Sequence, residues 1–161
     1  MDPPVTGTDT SDACGIIVAG TADDGRAYVL EDRTLAAVSP ARWAAMVLQL
    51  YEKHQADRVV VETNQGGDMA ESVLRNADSN LPVRQVKASR VKWLRAEPVA
   101  HIYERGLVSH VGSMPELEDE MCDFGLDGLS SGHSPDRLDA LVWALTDLML
   151  QPAGQPRARS L

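Results

Sequence analysis

Residues 58–67 read RVVVETNQGG, and this stretch decides the fold class. Its run from Val59 to Val61 is apolar at every position, which is typical of a strand buried on both faces of a parallel or mixed sheet. Glu62 follows the run and precedes a turn rich in polar residues and glycine. Because carboxylates gathered at one end of a sheet can bind a divalent metal, Glu62 is the first candidate site residue.

The segments before this strand predict an antiparallel pair followed by a helix. Residues 14–20 and 27–31 are strand candidates, and Asp24-Gly25 between them is a favoured hairpin turn. Ser39 is a candidate N-cap with Pro40 at the first helical position. The helix that follows has an apolar face at spacings of three and four, formed by Trp43, Met46, Val47, Leu50 and Tyr51.

Helices and extended segments alternate through the rest of the chain. Pro98 should kink its helix or mark a restart, and Gly106 should stop it. The last helix is expected to start at Ser134-Pro135. Antiparallel strands followed by such alternation predict an α/β fold with a mixed sheet flanked by helices. The other predicted elements are helices at 69–76, 92–105 and 115–124, and extended segments at 82–86 and 107–111.

Composition indicates one domain without an overall affinity for nucleic acid. The chain has 161 residues, 43% of them apolar, enough for one good core. We therefore predict a single domain at 1–150 and a disordered tail at 151–161, which carries two prolines and two arginines. The 24 acidic residues outnumber the 15 basic ones, and the net charge is −9, so any contact with nucleic acid must be local.

Other classes of protein are disfavoured by what the sequence lacks. Cys14 and Cys122 stand far apart with no CxxC spacing, which leaves neither a zinc motif nor a disulfide framework. No apolar stretch approaches the roughly 18 residues that cross a membrane, and no leader is recognisable at the N-terminus. We therefore expect a cytoplasmic protein without a membrane partner.

Four acidic residues, remote in sequence, are candidate metal ligands. Asp2 opens the string DPPVTG, Glu62 ends a strand, and Asp136 and Asp139 share one face of the helix in SPDRLDALVWAL. Asp136 in a first helical turn is also explained by the helix dipole. Asp139 lies among apolar residues, where burial without a partner would be costly. Such carboxylates suit two Mg²⁺ or Mn²⁺ ions, which can activate water and stabilise a leaving oxygen in phosphodiester hydrolysis.

A locally basic stretch is the candidate nucleic-acid surface. From Arg84 to Arg95 the chain has five positive charges and no acid. Phosphate contacts need such local charge, and Trp93 within the stretch could pack on a sugar or anchor the helix. A solvated charged face is an equally weighted alternative. The candidate nucleic-acid-binding residues are Lys87, Arg90, Lys92 and Arg95.

Nearly the whole chain resembles the nuclease domain of tailed-phage terminase large subunits, which has a ribonuclease-H-like fold. The strings that carry the resemblance are DPPVTGTDTSDACGIIVAG, VVVETNQGGDM, VKASRVKWLRAEPVAHIYERGLVSHVG, LEDEMCDF and HSPDRLDALVWAL, in this order. The family's acid after its first strand matches Asp2, its acid at the end of its fourth strand matches Glu62, and its acid in the last helix matches Asp139. Asp136 is then an accessory ligand.

The resemblance implies two-metal cleavage of double-stranded DNA, in which concatemeric viral genomes are cut during packaging. It also implies partners in the full system, namely an upstream ATPase motor domain, a portal ring and a small terminase subunit. The location would be the cytoplasm of a bacterial host. Asp2, Glu62 and Asp139 would be the catalytic residues.

One departure from the family concerns the first strand. In this fold the first strand is central and delivers its Asp after several apolar residues, whereas only Met1 precedes Asp2. The chain also has no GxxxxGK[ST] loop of an ATPase motor. We therefore expect a truncated first strand in an excised domain, an engineered piece or the product of a truncated gene. Little activity is expected if that strand is needed.

Two alternative functions remain open at this point. A junction-resolving nuclease of the same fold would also use paired acids three apart in its last helix, and a dimerising, strongly basic surface would favour it. A noncatalytic module could keep the fold only to dock DNA or a portal ring.

Overall fold

A computed structural model of the protein describes residues 1–3, 13–63 and 67–150. The predicted disordered tail at 151–161 and most of the glycine-containing turn after Glu62 lie outside the described residues. The elements are β1 (Ile17–Thr21), β2 (Ala27–Asp32), α1 (Pro40–His54), β3 (Val59–Glu62), α2 (Gly67–Ala77), β4 (Val83–Val86), α3 (Lys92–Glu104), β5 (Val108–His110), α4 (Pro115–Asp123), α5 (Asp136–Leu145) and a π-helical turn (Thr146–Leu150).

The strands form a mixed arrangement, which confirms the predicted fold class. β1 and β2 are an antiparallel hairpin, and β5 adds to β2 in parallel. β3 and β4 form a separate parallel pair. The strand order is therefore β1-β2-β5 in one piece and β3-β4 in the other, with helices flanking both. This is the architecture of a ribonuclease-H-like fold.

Met1 and Asp2 connect the two pieces of sheet. The Asp2 amide donates to the Gly15 carbonyl at 2.8 Å, and the Gly15 amide donates back at 2.9 Å. On the other side, the Met1 amine donates to the Val60 carbonyl at 2.6 Å, and the Glu62 amide donates to the Met1 carbonyl at 3.1 Å. Two residues thus occupy the position of a central strand, and they bring Asp2 beside Glu62.

The buried apolar residues form two clusters. The first contains Trp43, Val47 and Leu50 from the predicted apolar face of α1, together with Val61 and Leu74. The second contains Val29 from β2 and the α5 side chains, with Leu117 from α4. Since β3 and α5 each contribute apolar residues to the core, their acids are held at fixed positions at its edge.

Helix boundaries differ from the predicted ones at two prolines. α5 begins at Asp136 rather than Ser134, because Pro135 has a ψ of 64° and is the N-cap, with no side-chain cap. α3 runs through Pro98 as one helix, so of the two outcomes predicted at this proline, a kink or a restart, the restart is not found. It ends as predicted before Gly106, whose φ is 67°. None of the helices in the described segments is long and apolar enough to cross a membrane.

β1 begins three residues later than predicted. Cys14 pairs with Leu35 and Gly15 pairs with Asp2, each through an isolated bridge, so neither residue continues the β1–β2 ladder. At Gly15 a Cβ would lie 2.0 Å from the Asp136 carbonyl oxygen and 3.1 Å from the Ala140 Cβ. Only glycine therefore lets the β1 segment approach the start of α5.

Substitution of Gly15 should separate α5 from the sheet. We expect Gly15→Ala to lower the free energy of unfolding by about 1–3 kcal/mol, the usual cost of forcing extra atoms into a packed site. The matched control is Gly20→Ala in β1, where a Cβ meets nothing within 4 Å. Urea unfolding of both variants measures the difference. Equal stability of the two variants would contradict the close packing.

Candidate active site

The structure brings the four predicted acids to one region. Asp2 extends from the bridge beside Gly15, Glu62 ends β3, and Asp136 and Asp139 lie in the first turn of α5. Their side chains are largely withdrawn from water: Glu62 is 4%, Asp136 6% and Asp139 3% exposed. Buried carboxylates that face one another favour protonation or the binding of cations.

The pKa of Asp2 is affected by all three of the other acids. Burial, and after it in order of importance the negative charges of Glu62, Asp139 and Asp136, raise the pKa of Asp2 from 3.8 to about 7. Burial also raises the pKa of Asp139, against the lowering effect of Lys92 and Arg95. The four carboxylates therefore form one electrostatic unit rather than four independent groups.

Arg95 bridges the two central acids. One guanidinium nitrogen lies 3.4 Å from Glu62 Oε2, and another lies 3.2 Å from Asp139 Oδ1. The guanidinium also lies over the Trp143 ring, 4.9 Å from its centre. Trp143 Nε1 donates a hydrogen bond to the same Glu62 oxygen. β3, α3 and α5 thus meet at a single buried cation.

Lys92 is the second cation of the site. Its ammonium forms a salt bridge with Asp139 and donates to Ser134 Oγ at 3.0 Å. Lys92 and Arg95 are three apart on α3, so both side chains leave the same face of the helix. Lys92 is more accessible, with a side chain 42% exposed against 9% for Arg95. Of the two cations, Lys92 would therefore be the more easily displaced from Asp139.

The chemistry of the four side chains suits a hard divalent cation. All four acids offer carboxylate oxygens, the ligands that Mg²⁺ and Mn²⁺ prefer. Within the described segments, no three Asp, Glu, His or Cys side chains form a preformed metal-binding group. Lys92 and Arg95 supply the positive charge at Asp139 instead. A metal ion at Asp139 would therefore have to compete with the Lys92 ammonium.

The four predicted nucleic-acid-binding residues fall into two groups. Lys87 and Arg90 are exposed in the basic loop, which we define as residues 87–91 between β4 and α3. Lys92 and Arg95 instead face the acids, as described above. Trp93 follows the loop with 38% of its surface exposed. A positively charged, partly apolar surface therefore adjoins the acid cluster.

Sequence reasoning missed Trp143 and Gly15 as parts of the site. Trp143 is a buried side chain of the apolar helix α5, and its ring nitrogen donates a hydrogen bond to Glu62. Its spacing of four from Asp139 on one helix was the available signal, since such residues share a face. Gly15 had no comparable signal, because its contact with α5 joins residues remote in sequence.

Comparisons with known proteins identify a family across the chain. A family model described as a terminase RNaseH-like domain matches residues 1–148. The match includes all four acids and both cations of the site. Comparison with curated proteins and with solved structures returned no match.

Removing the buried guanidinium should destabilise the protein. We expect Arg95→Met to lower the free energy of unfolding by about 3 kcal/mol, because Glu62 and Asp139 lose their shared counter-charge while remaining buried. The control is Arg90→Met in the exposed basic loop, expected to change stability by less than about 0.5 kcal/mol. Denaturant titration at neutral pH gives both values. An equal effect of the two substitutions would contradict the bridging role of Arg95.

The raised pKa of Asp2 predicts a pH dependence of stability in a metal-free buffer. Asp2 holds its proton more tightly when folded, with its pKa raised from 3.8 to about 7. Its contribution to stability is therefore fully present below pH 3.8 and is lost as the pH rises through 7. Asp2→Asn should flatten this decline and be relatively more stable at pH 8. Thermal unfolding between pH 4 and 8 tests this, and parallel profiles for the two proteins would exclude Asp2 as the cause.

Proposed function

The chain belongs to the terminase RNaseH-like domain family, and from this premise we propose that it is a metal-dependent endonuclease domain that cleaves double-stranded DNA. Its substrate would be concatemeric viral DNA during genome packaging. The observation that carries the proposal is the convergence of Glu62 and Asp139 on one buried guanidinium, with Asp2 and Asp136 coupled to the same cluster. A domain whose buried residues served packing alone would not need so many buried acids.

The metal ligands would be Asp2, Glu62 and Asp139, with Asp136 assisting. When bound, two Mg²⁺ or Mn²⁺ ions would make a water nucleophilic and stabilise the leaving oxygen of the phosphodiester. The raised pKa values of Asp2 and Asp139 fit this function, because mutually repelling carboxylates gain most from added positive charge.

The surrounding residues would hold these ligands in place. Arg95 fixes Glu62 relative to Asp139, and Trp143 restrains Glu62 through its ring nitrogen and covers the guanidinium. Before a metal ion binds, the Lys92 ammonium would neutralise the negative charge of Asp139. Once displaced, its flexible ammonium is close enough to the site to contact a phosphate of the substrate.

DNA would reach the site across the basic loop. Lys87 and Arg90 are exposed and free to contact phosphates, while Trp93 offers a ring for packing against a sugar. The net charge of −9 limits attraction elsewhere on the protein. This charge distribution supports binding of one DNA segment beside the acids rather than general adhesion to nucleic acid.

The family also supports a place in a larger packaging assembly. We propose that the domain works with an ATPase motor domain, a portal ring and a small terminase subunit, in the cytoplasm of a bacterium that carries the phage. DNA cutting would then follow translocation by the motor.

Cleavage should depend on the central acids. We expect Glu62→Gln and Asp139→Asn each to reduce Mn²⁺-dependent linearisation of plasmid DNA by at least about 100-fold, since loss of an outer partner alone costs 10–100-fold. Isothermal titration should show weaker Mn²⁺ binding in both. Asp119→Asn, at an exposed residue of α4, is the control and should cut normally. Unchanged cutting in both site variants, with the fold intact by circular dichroism, would favour the noncatalytic docking module.

DNA binding should depend on the basic loop independently of cutting. Replacing Lys87 and Arg90 by Ala should weaken binding to duplex DNA and reduce the slope of log affinity against log salt by about 2. Fluorescence anisotropy in EDTA separates this effect from cleavage. The control replaces Arg42 and Arg105, which are exposed on other elements, and removes the same charge. An equal loss of affinity in both double variants would point to net charge rather than this loop.

A further inference from the structure

Two cations face the acid cluster, and they differ in how firmly they are held. Arg95 bridges Glu62 and Asp139 with separate nitrogens, and its side chain is only 9% exposed. The Lys92 ammonium contacts Asp139 from a side chain that is 42% exposed. Arg95 is therefore a fixed part of the site, whereas Lys92 reaches into the site from the surface.

The contacts of Lys92 can be exchanged for others. Its two partners are the Asp139 carboxylate and the neutral hydroxyl of Ser134, whose oxygen accepts at 3.0 Å. A lysine ammonium is a compact charge with three donors on a flexible stem, whereas the arginine group is a rigid planar fork. Because its stem is partly in solvent, Lys92 can swing away from Asp139 without disturbing the packed core.

Lys92 lies where the basic loop meets the acid cluster. The loop ends at residue 91 and α3 begins at Lys92, while Lys87 and Arg90 within the loop are exposed. A DNA strand whose phosphates contact Lys87 and Arg90 would present its next phosphate near Lys92. The ammonium would then have an anion on either side, the Asp139 carboxylate inside and a phosphate outside.

The Lys92 ammonium competes with any divalent cation for Asp139. Two positive charges on one carboxylate repel each other strongly here, since Asp139 is only 3% exposed and water screens the charges poorly. A phosphate of bound DNA offers the ammonium a new charged acceptor. Transfer of Lys92 to DNA would therefore free Asp139 for a metal ion, and loss of its place at Asp139 would free Lys92 for DNA.

We propose that Lys92 is an exchangeable counter-ion that couples the binding of DNA to the binding of metal ions. Its ammonium neutralises Asp139 before either ligand binds and contacts a DNA phosphate once both are bound. Each ligand then raises the affinity of the protein for the other, as linkage requires. This inference rests on the proposed function and adds regulation to it, because metal ions bind weakly until DNA lies on the basic loop.

A purely structural Lys92 would have the opposite effect on metal binding. If the ammonium only positioned Asp139 relative to Ser134, its loss would loosen a metal ligand and weaken the binding of metal ions. If the ammonium is a competitor, its loss strengthens that binding. The sign of the change therefore distinguishes the two roles.

Calorimetric titration with Mn²⁺ in the absence of DNA tests the competition. Lys92→Met should bind Mn²⁺ at least about tenfold more tightly than the wild-type protein, a gain of about 1.4 kcal/mol. Lys92→Arg keeps the positive charge and should bind Mn²⁺ no more tightly than the wild type. The matched control is Lys53→Met, which removes a lysine that pairs with Glu31 and should leave the affinity for Mn²⁺ unchanged.

DNA binding in EDTA tests the transfer to phosphate without any metal ion. Asp139→Asn should release the Lys92 ammonium and steepen the slope of log affinity against log salt by about 1, the effect of one added phosphate contact. The same substitution combined with Lys92→Met should leave the slope nearly unchanged. Fluorescence anisotropy on these proteins completes a double-mutant cycle, which separates the transfer from the general loss of a negative charge.

Each contrary result overturns a different part of the proposal. Equal or weaker Mn²⁺ binding by Lys92→Met, or an equal gain in Lys53→Met, would overturn the competition at Asp139. The same change of slope with and without Lys92 would overturn the transfer to DNA. Absence of Mn²⁺ binding from all of these proteins, with each fold intact by circular dichroism, would overturn the proposed metal site and the exchange with it.

Discussion

The site depends on one buried guanidinium. Arg95 of α3 lies between Glu62 at the end of β3 and Asp139 in α5, and its flat face rests on Trp143. Without this cation, two carboxylates that are nearly inaccessible to water would repel each other across three packed elements. With it, a strand, a helix and the first turn of another helix are held in one arrangement. The packing of these elements and the proposed metal site therefore depend on the same four side chains.

The acids meet at the junction between two pieces of sheet, and this junction is formed by very few atoms. Met1 and Asp2 pair with both the segment before β1 and the end of β3. Asp2 is thus placed in the acid cluster by main-chain hydrogen bonds on either side of it.

Local pattern predicted much of the architecture and of the acid set. The apolar residues of α1 were informative because burial of one helix face imposes a period, and the run in β3 because burial on both faces makes a strand apolar throughout. The start of α5 was mispredicted, and α3 does not restart at Pro98, because proline preferences are local and packing around the helices overrides them. The sequence singled out Lys92 and Arg95 as members of a locally basic stretch. The sequence did not show that these two side chains pair with acids rather than with solvent, because the charge of a residue does not determine which group lies nearest to it in the fold.

The sequence by itself determined the α/β class, the family and the identities of the candidate acids, because periodicity, turn residues and motif order are properties of consecutive positions. Tertiary structure alone decided that these acids converge, that Arg95 and Trp143 join them, and that Gly15 must lack a side chain beneath Asp136. The physical reason is that distances between residues remote in the chain are set by how strands and helices pack, and no local preference encodes them.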